Sequence, residues 1–320
     1  MIYHLIKKSN NWQGALWKIY SCLCFSIVNG IVRFLTGGVE IEEGPPPLSF
    51  TQIAFFQNII GSCILLPWII KTKKISLITS MPNLHLLRII FAVCGLILWY
   101  ASLRYMPITY ALALSFTSPI ITIIVCRIFL KESLSNIRLL SIILSFIGAI
   151  LITQSNIIFN KNEITNNIHQ YYIGWYFILP ITATFCWVIS KILSSQIAKN
   201  GDSPELMTLY LLTFMSPISL IPALITWEPI EIIHLTWCTI IAIISTIAHL
   251  CMAKALSLAE ITFLTPFGCA RFLLSGIIGY ICFNELPYNI EIWTGILLII
   301  LSIIILSLES KKITKYTKNF

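Results

Sequence analysis

Ten long apolar runs, separated by short polar connections, constrain this chain more than any other feature of its sequence. About 20 apolar residues cross the roughly 30 Å of hydrocarbon as a helix, and each run approaches or exceeds that length. The runs are continuous rather than alternating, which favours helices over the strands of a barrel. Only 11% of the 320 residues are charged, too few to cover a soluble surface. The predicted spans are 15–35, 50–70, 86–106, 108–129, 136–153, 173–193, 206–227, 235–257, 261–283 and 291–308.

The distribution of lysine and arginine predicts the orientation of these spans. With the N-terminus in the cytoplasm, 17 of the 21 basic residues fall on the cytoplasmic side and four on the other. Basic residues concentrate in cytoplasmic segments of membrane proteins. Both termini are therefore predicted to be cytoplasmic. The excess of Ile, Asn and Lys is typical of an AT-rich bacterial genome, so the expected location is the bacterial cell inner membrane. Topology accounts for most of the net charge of +8, and no nucleic-acid partner is expected.

A weak internal repeat indicates a duplicated chain. A shift of 153 residues aligns the fourth span with the ninth, pairing Leu103 with Leu256 and Glu132 with Glu285. Because each copy holds five spans, an odd number, the second copy crosses the membrane inverted. Inverted repeats recur in secondary transporters, with the substrate site between the repeats. The predicted units are the two repeats, a linker and a basic tail, at 15–153, 173–308, 154–172 and 309–320 respectively.

Motifs near the span ends carry a family resemblance. The stretches 103–113 and 118–134 resemble, respectively, the short connection between helices three and four and the ending of helix four in the EamA-type carriers of the drug/metabolite transporter superfamily. Gly148 fits the glycine near the end of helix five, and 283–287 echoes the first copy in the second. The resemblance implies an all-α integral membrane fold of ten transmembrane helices, arranged as two inverted five-helix EamA repeats. The second copy departs more from the family pattern.

Polar residues inside the spans are costly in lipid and therefore mark candidate binding positions. Arg271 could bind a substrate carboxylate through its planar fork, or pair with Glu260 or a backbone carbonyl. His249 could relay a proton or bind substrate, while a neutral structural histidine is the alternative. Gln57 and Asn58 point about 100° apart on one helix, so one can face a cavity while the other packs.

Aromatic residues form the second group of candidates. The resemblance places Trp99, Tyr100, Tyr110 and Phe263 on spans near the centre of the protein. Such rings can hold a cationic or planar ligand by cation–π attraction and stacking, whereas ordinary packing is the alternative. Lys191 lies near a cytoplasmic end, where a lysine usually reaches the membrane interface.

Catalytic, cofactor and metal motifs are missing from the sequence. There is no Walker loop, HExxH, CxxC or GxSxG pattern, and most of the ten cysteines lie inside apolar runs, where they behave as small apolar residues. We therefore expect no enzyme activity, cofactor or metal. The expected partners are a small-molecule substrate and the lipid bilayer, and the chain is predicted to be a monomer or homodimer.

These observations predict a secondary transporter of a small metabolite that works by alternating access. Within the superfamily, the chain most resembles the S-adenosylmethionine uptake carriers of obligate intracellular bacteria. That resemblance implies S-adenosylmethionine uptake, with exchange against S-adenosylhomocysteine. Arg271 would then hold the carboxylate, and Trp99 with Tyr100 the adenine or sulfonium. A proton-coupled amino-acid or drug exporter, an integral-membrane lipid enzyme and an assembly subunit are the alternatives.

Overall fold

The computed structural model describes residues 2–37, 45–72, 81–105 and 178–268 as continuous stretches. It also describes residues 79 and 176 and separate positions within 111–151, 270–278 and 293–305. The described positions inside the predicted spans 108–129, 136–153 and 291–308 are helical. The linker 154–172 and the tail 309–320 lie outside the described residues.

The continuous stretches form helices joined by short connections, and no strand occurs in them. Six of the helices, α1 to α6, are long and apolar enough to cross a membrane, and the shorter α7 follows α6. Large apolar side chains such as Leu224, Ile225 and Ile232 are 62%, 80% and 84% exposed, as expected of surfaces that face lipid. The helices are α1 Ile2–Leu35, α2 Phe50–Thr72, α3 Pro82–Tyr105, α4 Ile178–Lys199, α5 Pro204–Ile225, α6 Ile232–Leu258 and α7 Ile261–Gly268.

Several helices extend beyond the apolar runs that predicted them. Helix α4 continues past the predicted boundary at residue 193 to Lys199. In this extension the Ser194 hydroxyl donates to the Ser190 carbonyl at 2.7 Å, so a polar side chain is satisfied by the helix itself. Helix α5 begins sharply because the Ser203 Oγ accepts from the Leu206 N–H at 3.2 Å and Pro204 occupies the first turn. Apolar runs therefore predict the membrane core, while capping sets the helix ends.

Each of the first three helices packs chiefly against one of the later three. Helix α1 packs along α6, α2 along α5 and α3 along α4, and α2 also contacts α6. Helices α3 and α4 pack closely at Gly95, where an added Cβ would stand 3.2 Å from the Ala183 carbonyl oxygen. Small residues at such crossings let two backbones approach closely.

Polar contacts at one end of the bundle join the start of α2 to the connection between α5 and α6. Ser49, Thr51 and Thr226 form a cluster of hydroxyls at 2.6 to 2.8 Å. The Gln52 amide donates to the Glu228 carbonyl at 2.9 Å and accepts from the Glu228 N–H at 3.0 Å. The end of α5 and the start of α2 therefore lie at the same end of the bundle.

A second polar cluster at the opposite end joins the start of α3 to the connection between α4 and α5. One carboxylate oxygen of Asp202 accepts from the Thr79 hydroxyl at 2.6 Å and from His85 Nε2 at 3.0 Å. The His85 ring also lies 4.9 Å from the Tyr210 ring, between centroids. Since the two clusters occupy opposite ends, α2 runs antiparallel to α5, and α3 to α4.

Replacing Asp202 with alanine is expected to destabilise the protein, because the buried His85 Nε2 and the Thr79 hydroxyl would lose their acceptor. The loss of hydrogen bonds to a charged group predicts a cost of about 2 kcal/mol. In thermal unfolding of the purified protein in detergent, the midpoint should fall by about 3 °C. Asp202→Asn keeps one acceptor oxygen and should lose less than half as much. An unchanged midpoint for Asp202→Ala would show that this cluster contributes no stability.

Candidate functional site

A cavity of about 220 Å³ lies among the helices. Its wall consists of one face of α1, α3 and α4, with contributions from the other helices. The lining positions follow the three- and four-residue spacing of a single helix face. They include Lys18, Cys22, Phe25 and Asn29 on α1, Arg88, Ala92, Leu96 and Trp99 on α3, and Thr184, Trp187, Lys191 and Ser194 on α4.

Arg271 lies among three aromatic rings at one end of this cavity. Its guanidinium carbon is 5.3 Å from the centroid of Trp99 and 5.7 Å from those of Phe25 and Trp187. The Trp99 and Trp187 rings are themselves 5.2 Å apart and tilted by 45°. The Arg271 Nε is buried without a hydrogen-bond partner. Desolvated cation–π contacts contribute about 2 kcal/mol, so the rings partly stabilise a guanidinium that no carboxylate neutralises within the described residues.

Two buried amides orient the aromatic side chains. The Trp99 Nε1–H donates to Asn29 Oδ1 at 3.1 Å, and the Tyr100 hydroxyl donates to Gln57 Oε1. Asn29 Nδ2 is buried with no hydrogen-bond partner. Because the amide oxygen of Asn29 already accepts from Trp99, its amide nitrogen is available to donate to a ligand carbonyl.

Basic side chains line the other end of the cavity. Lys18, Arg88 and Lys191 all belong to its wall, and Arg88 is only 4% exposed. The Arg88 Nη1 donates to the Met207 carbonyl at 3.1 Å, whereas its Nε has no partner. No aspartate or glutamate belongs to the described lining. The cavity therefore combines an aromatic end with a basic end.

The structure brings five of the predicted site residues into this cavity. These are Gln57, Trp99, Tyr100, His249 and Arg271. The imidazole of His249 meets the Phe25 ring edge-on, at 5.0 Å between centroids.

Three other predicted site residues do not join them. Asn58 is fully buried but does not line the cavity, because it points about 100° away from Gln57 on α2. Phe263 is also absent from the lining and packs instead on Trp12 and Phe267. Tyr110 lies outside the described residues.

The sequence patterns missed the basic end. Lys191 was predicted to reach the membrane interface, but it lines the cavity four residues after Trp187, on the same face of α4. Lys18 and Arg88 were counted only among the 17 basic residues of the predicted cytoplasmic side. Their spacing from Phe25 and Trp99 along α1 and α3 is the signal that could have placed all three lysine and arginine side chains in one cavity.

Comparison with known proteins identifies the family. The model of the EamA-like transporter family matches residues 12–154. A riboflavin transporter of Vibrio cholerae is 31% identical to this chain, over 95% of the chain and 96% of the relative. The chain belongs to the EamA-like transporter family. A more distant relative, an S-adenosylmethionine uptake transporter of Rickettsia bellii, is 24% identical over 82% of the chain and 86% of its own length.

One solved structure has the same fold, with a TM-score of 0.67 over 95% of this chain and 98% of the other. It is described only as a crystal structure of a protein and is 13% identical in sequence, so it bears on the fold alone. Family membership confirms the resemblance inferred from the motifs and makes this EamA protein a multi-pass membrane protein. It also points to a transporter of small metabolites rather than to a lipid enzyme.

Proposed function

We propose that this EamA protein is a secondary carrier that moves riboflavin across the bacterial inner membrane. The observation that carries the proposal is the cavity itself, whose aromatic end holds two neighbouring indole rings, a guanidinium and an unpartnered amide nitrogen. Riboflavin has a planar three-ring system with carbonyl and ring-nitrogen acceptors, and a ribityl chain of hydroxyls. Trp99 and Trp187 would stack on the ring system, and Asn29 and Arg271 would donate to its acceptors.

Charge distinguishes riboflavin from S-adenosylmethionine in this cavity. Riboflavin is neutral, whereas the sulfonium and ammonium groups of S-adenosylmethionine outweigh its single carboxylate. At an effective dielectric constant of about 20, two like charges about 6 Å apart repel by about 3 kcal/mol. A cation–π contact between the ligand and an aromatic ring would stabilise the complex by about 2 kcal/mol. With Arg88, Lys191 and Arg271 in the wall and no carboxylate among the described lining residues, repulsion outweighs that gain.

S-adenosylmethionine uptake is the second candidate. The relatives of that name and the aromatic rings of the cavity favour it, and Arg271 would then hold the substrate carboxylate. Exchange with S-adenosylhomocysteine fits the same contacts. Proton coupling through His249 is a further mechanism for either substrate, and it predicts that an imposed proton gradient drives accumulation.

Alternating access would follow from two inverted repeats. The pairing of α1 with α6, α2 with α5 and α3 with α4 supports this arrangement, since a two-fold axis in the membrane plane exchanges the first and third pairs. The antiparallel course of α2 with α5 and of α3 with α4 fits the same relation. Rocking of these units about the cavity would expose it to each side in turn.

Uptake of labelled riboflavin into liposomes containing the purified protein tests the proposal. We expect saturable uptake above that of empty liposomes, inhibited by excess unlabelled riboflavin and not by S-adenosylmethionine or S-adenosylhomocysteine. Labelled S-adenosylmethionine is the parallel arm. If only S-adenosylmethionine is taken up, and its homocysteine analogue competes, the second candidate replaces the first.

A further inference from the structure

The basic end of the cavity lies at a defined distance from the aromatic end. Arg88 precedes Gly95 by seven residues on α3, and Lys191 follows Ala183 by eight on the antiparallel α4. At about 1.5 Å per residue, both side chains lie about 11 Å below the crossing at Gly95, level with each other. Along α3, Arg88 and Trp99 are about 16 Å apart by the same rise. Arg88 and Lys191 therefore lie at a similar depth in the cavity, toward the end that Lys18 also lines.

These two cations have hydrogen-bonding capacity that the described protein does not use. The buried Arg88 retains an unpartnered Nε, and its Nη1 donates to a neutral carbonyl. Lys191 makes no hydrogen bond or ion pair with a described residue, and the charges of Lys18 and Arg271 act on it repulsively. Neutral riboflavin gives this end no counter-charge. An isolated group of buried cations is costly unless an anion accompanies it.

We propose that Arg88 and Lys191 form an anion subsite for a phosphate monoester, so that the carrier also binds flavins phosphorylated at the end of the ribityl chain. The proposal rests on the proposed flavin transport and extends its substrate class. The ring system occupies the aromatic end, the ribityl chain follows the wall between Trp187 and Lys191, and the phosphate oxygens accept from both cations. Charge-assisted hydrogen bonds of this kind are shorter and stronger than neutral ones.

Binding of flavin mononucleotide and of riboflavin to the purified protein tests the subsite, read from the quenching of flavin fluorescence on stacking. We expect flavin mononucleotide to bind more tightly than riboflavin. Lys191→Gln and Arg88→Gln should each weaken flavin mononucleotide relative to riboflavin by about tenfold, the effect of losing one hydrogen bond to a charged group. Lys254→Gln, at an exposed position on α6, is the matched control and should leave the ratio unchanged.

Two further arms separate the possible results. Lys191→Arg keeps the charge and should keep the preference, which guards against a variant that merely folds poorly. Inorganic phosphate at millimolar concentration should displace flavin mononucleotide more readily than riboflavin. If the affinity for flavin mononucleotide relative to riboflavin is the same in the unchanged chain, Lys191→Gln and Arg88→Gln, the subsite is overturned. Riboflavin uptake in that case would leave the proposed function standing. A charge-dependent binding of flavin mononucleotide without any riboflavin uptake would support the subsite and reject riboflavin transport.

Discussion

Replacing Arg271 with alanine is expected to reduce the initial rate of riboflavin uptake by at least about a hundredfold. The guanidinium touches the Phe25, Trp99 and Trp187 rings, and its removal opens the aromatic end of the cavity. Arg271 would also donate to acceptors of the flavin ring system, and the loss of two such hydrogen bonds at about 1.5 kcal/mol each corresponds to about two decades in affinity. Arg271→Lys keeps the charge but not the planar fork, so its uptake rate should lie between those of the unchanged chain and Arg271→Ala.

Arg104→Ala is the matched control, because Arg104 lies at the end of α3 and does not line the cavity. Uptake is measured in liposomes at equal protein content. A structural role for Arg271 would appear as a lower unfolding midpoint, whereas removal of a buried, uncompensated cation should leave the midpoint unchanged or raise it. Uptake by Arg271→Ala within threefold of the unchanged chain would remove Arg271 from the substrate site.

Gly95→Val should reduce riboflavin uptake at least as strongly as Arg271→Ala, for a different reason. A Cβ at Gly95 would stand 2.5 Å from Trp187 Cδ1 and 2.7 Å from its Nε1, so the indole must leave its place beside Trp99. The branched side chain also meets the Ala183 carbonyl at the helix crossing. Overpacking of this kind costs about 1 to 3 kcal/mol, and here it displaces a ring that the ligand needs. Gly95→Ala should reduce uptake by about tenfold.

A graded control is available at Gly30. An added Cβ there would stand 3.2 Å from a methyl group of Ile278, which can yield by a few tenths of an ångström. Gly30→Ala should therefore keep uptake within about threefold of the unchanged chain, by the small cost of so slight a rearrangement. Equal losses for Gly30→Ala and Gly95→Ala would indicate a general sensitivity of close-packed glycines, rather than the displacement of Trp187.

The sequence predicts much of the aromatic end, for a physical reason. Gln57, His249 and Arg271 are polar groups within apolar spans, and lipid excludes such groups so strongly that they turn toward the protein interior. Their meeting with Trp99 in one cavity could be inferred from the family resemblance. The neighbouring Asn58 shows the limit of this argument, because burial alone does not say whether a side chain faces a cavity or packs.

The basic end could not be read from topology alone. Lysines near a cytoplasmic boundary satisfy the positive-inside rule whether their side chains point outward or inward. The packing of α3 against α4, which places Lys191 in the cavity wall, is needed to give the direction of its side chain. Helix pairing itself is also poorly encoded, because a face that contacts lipid and one that contacts another helix are both apolar. Only the three-dimensional arrangement shows which apolar faces meet.

The cross-pairing of early helices with late ones has a consequence for how the protein is made. His85 and Arg88 on α3 are both nearly inaccessible, and their hydrogen-bond partners, Asp202 and the Met207 carbonyl, are synthesised 117 and 119 residues later. A nascent chain released into lipid before that point would expose these groups to hydrocarbon, at several kcal/mol for each unsatisfied group. We therefore expect the early helices to be retained by the insertion machinery until α4 to α6 emerge from the ribosome. A ribosome that stalls midway would produce a substrate for quality-control proteases rather than a smaller carrier.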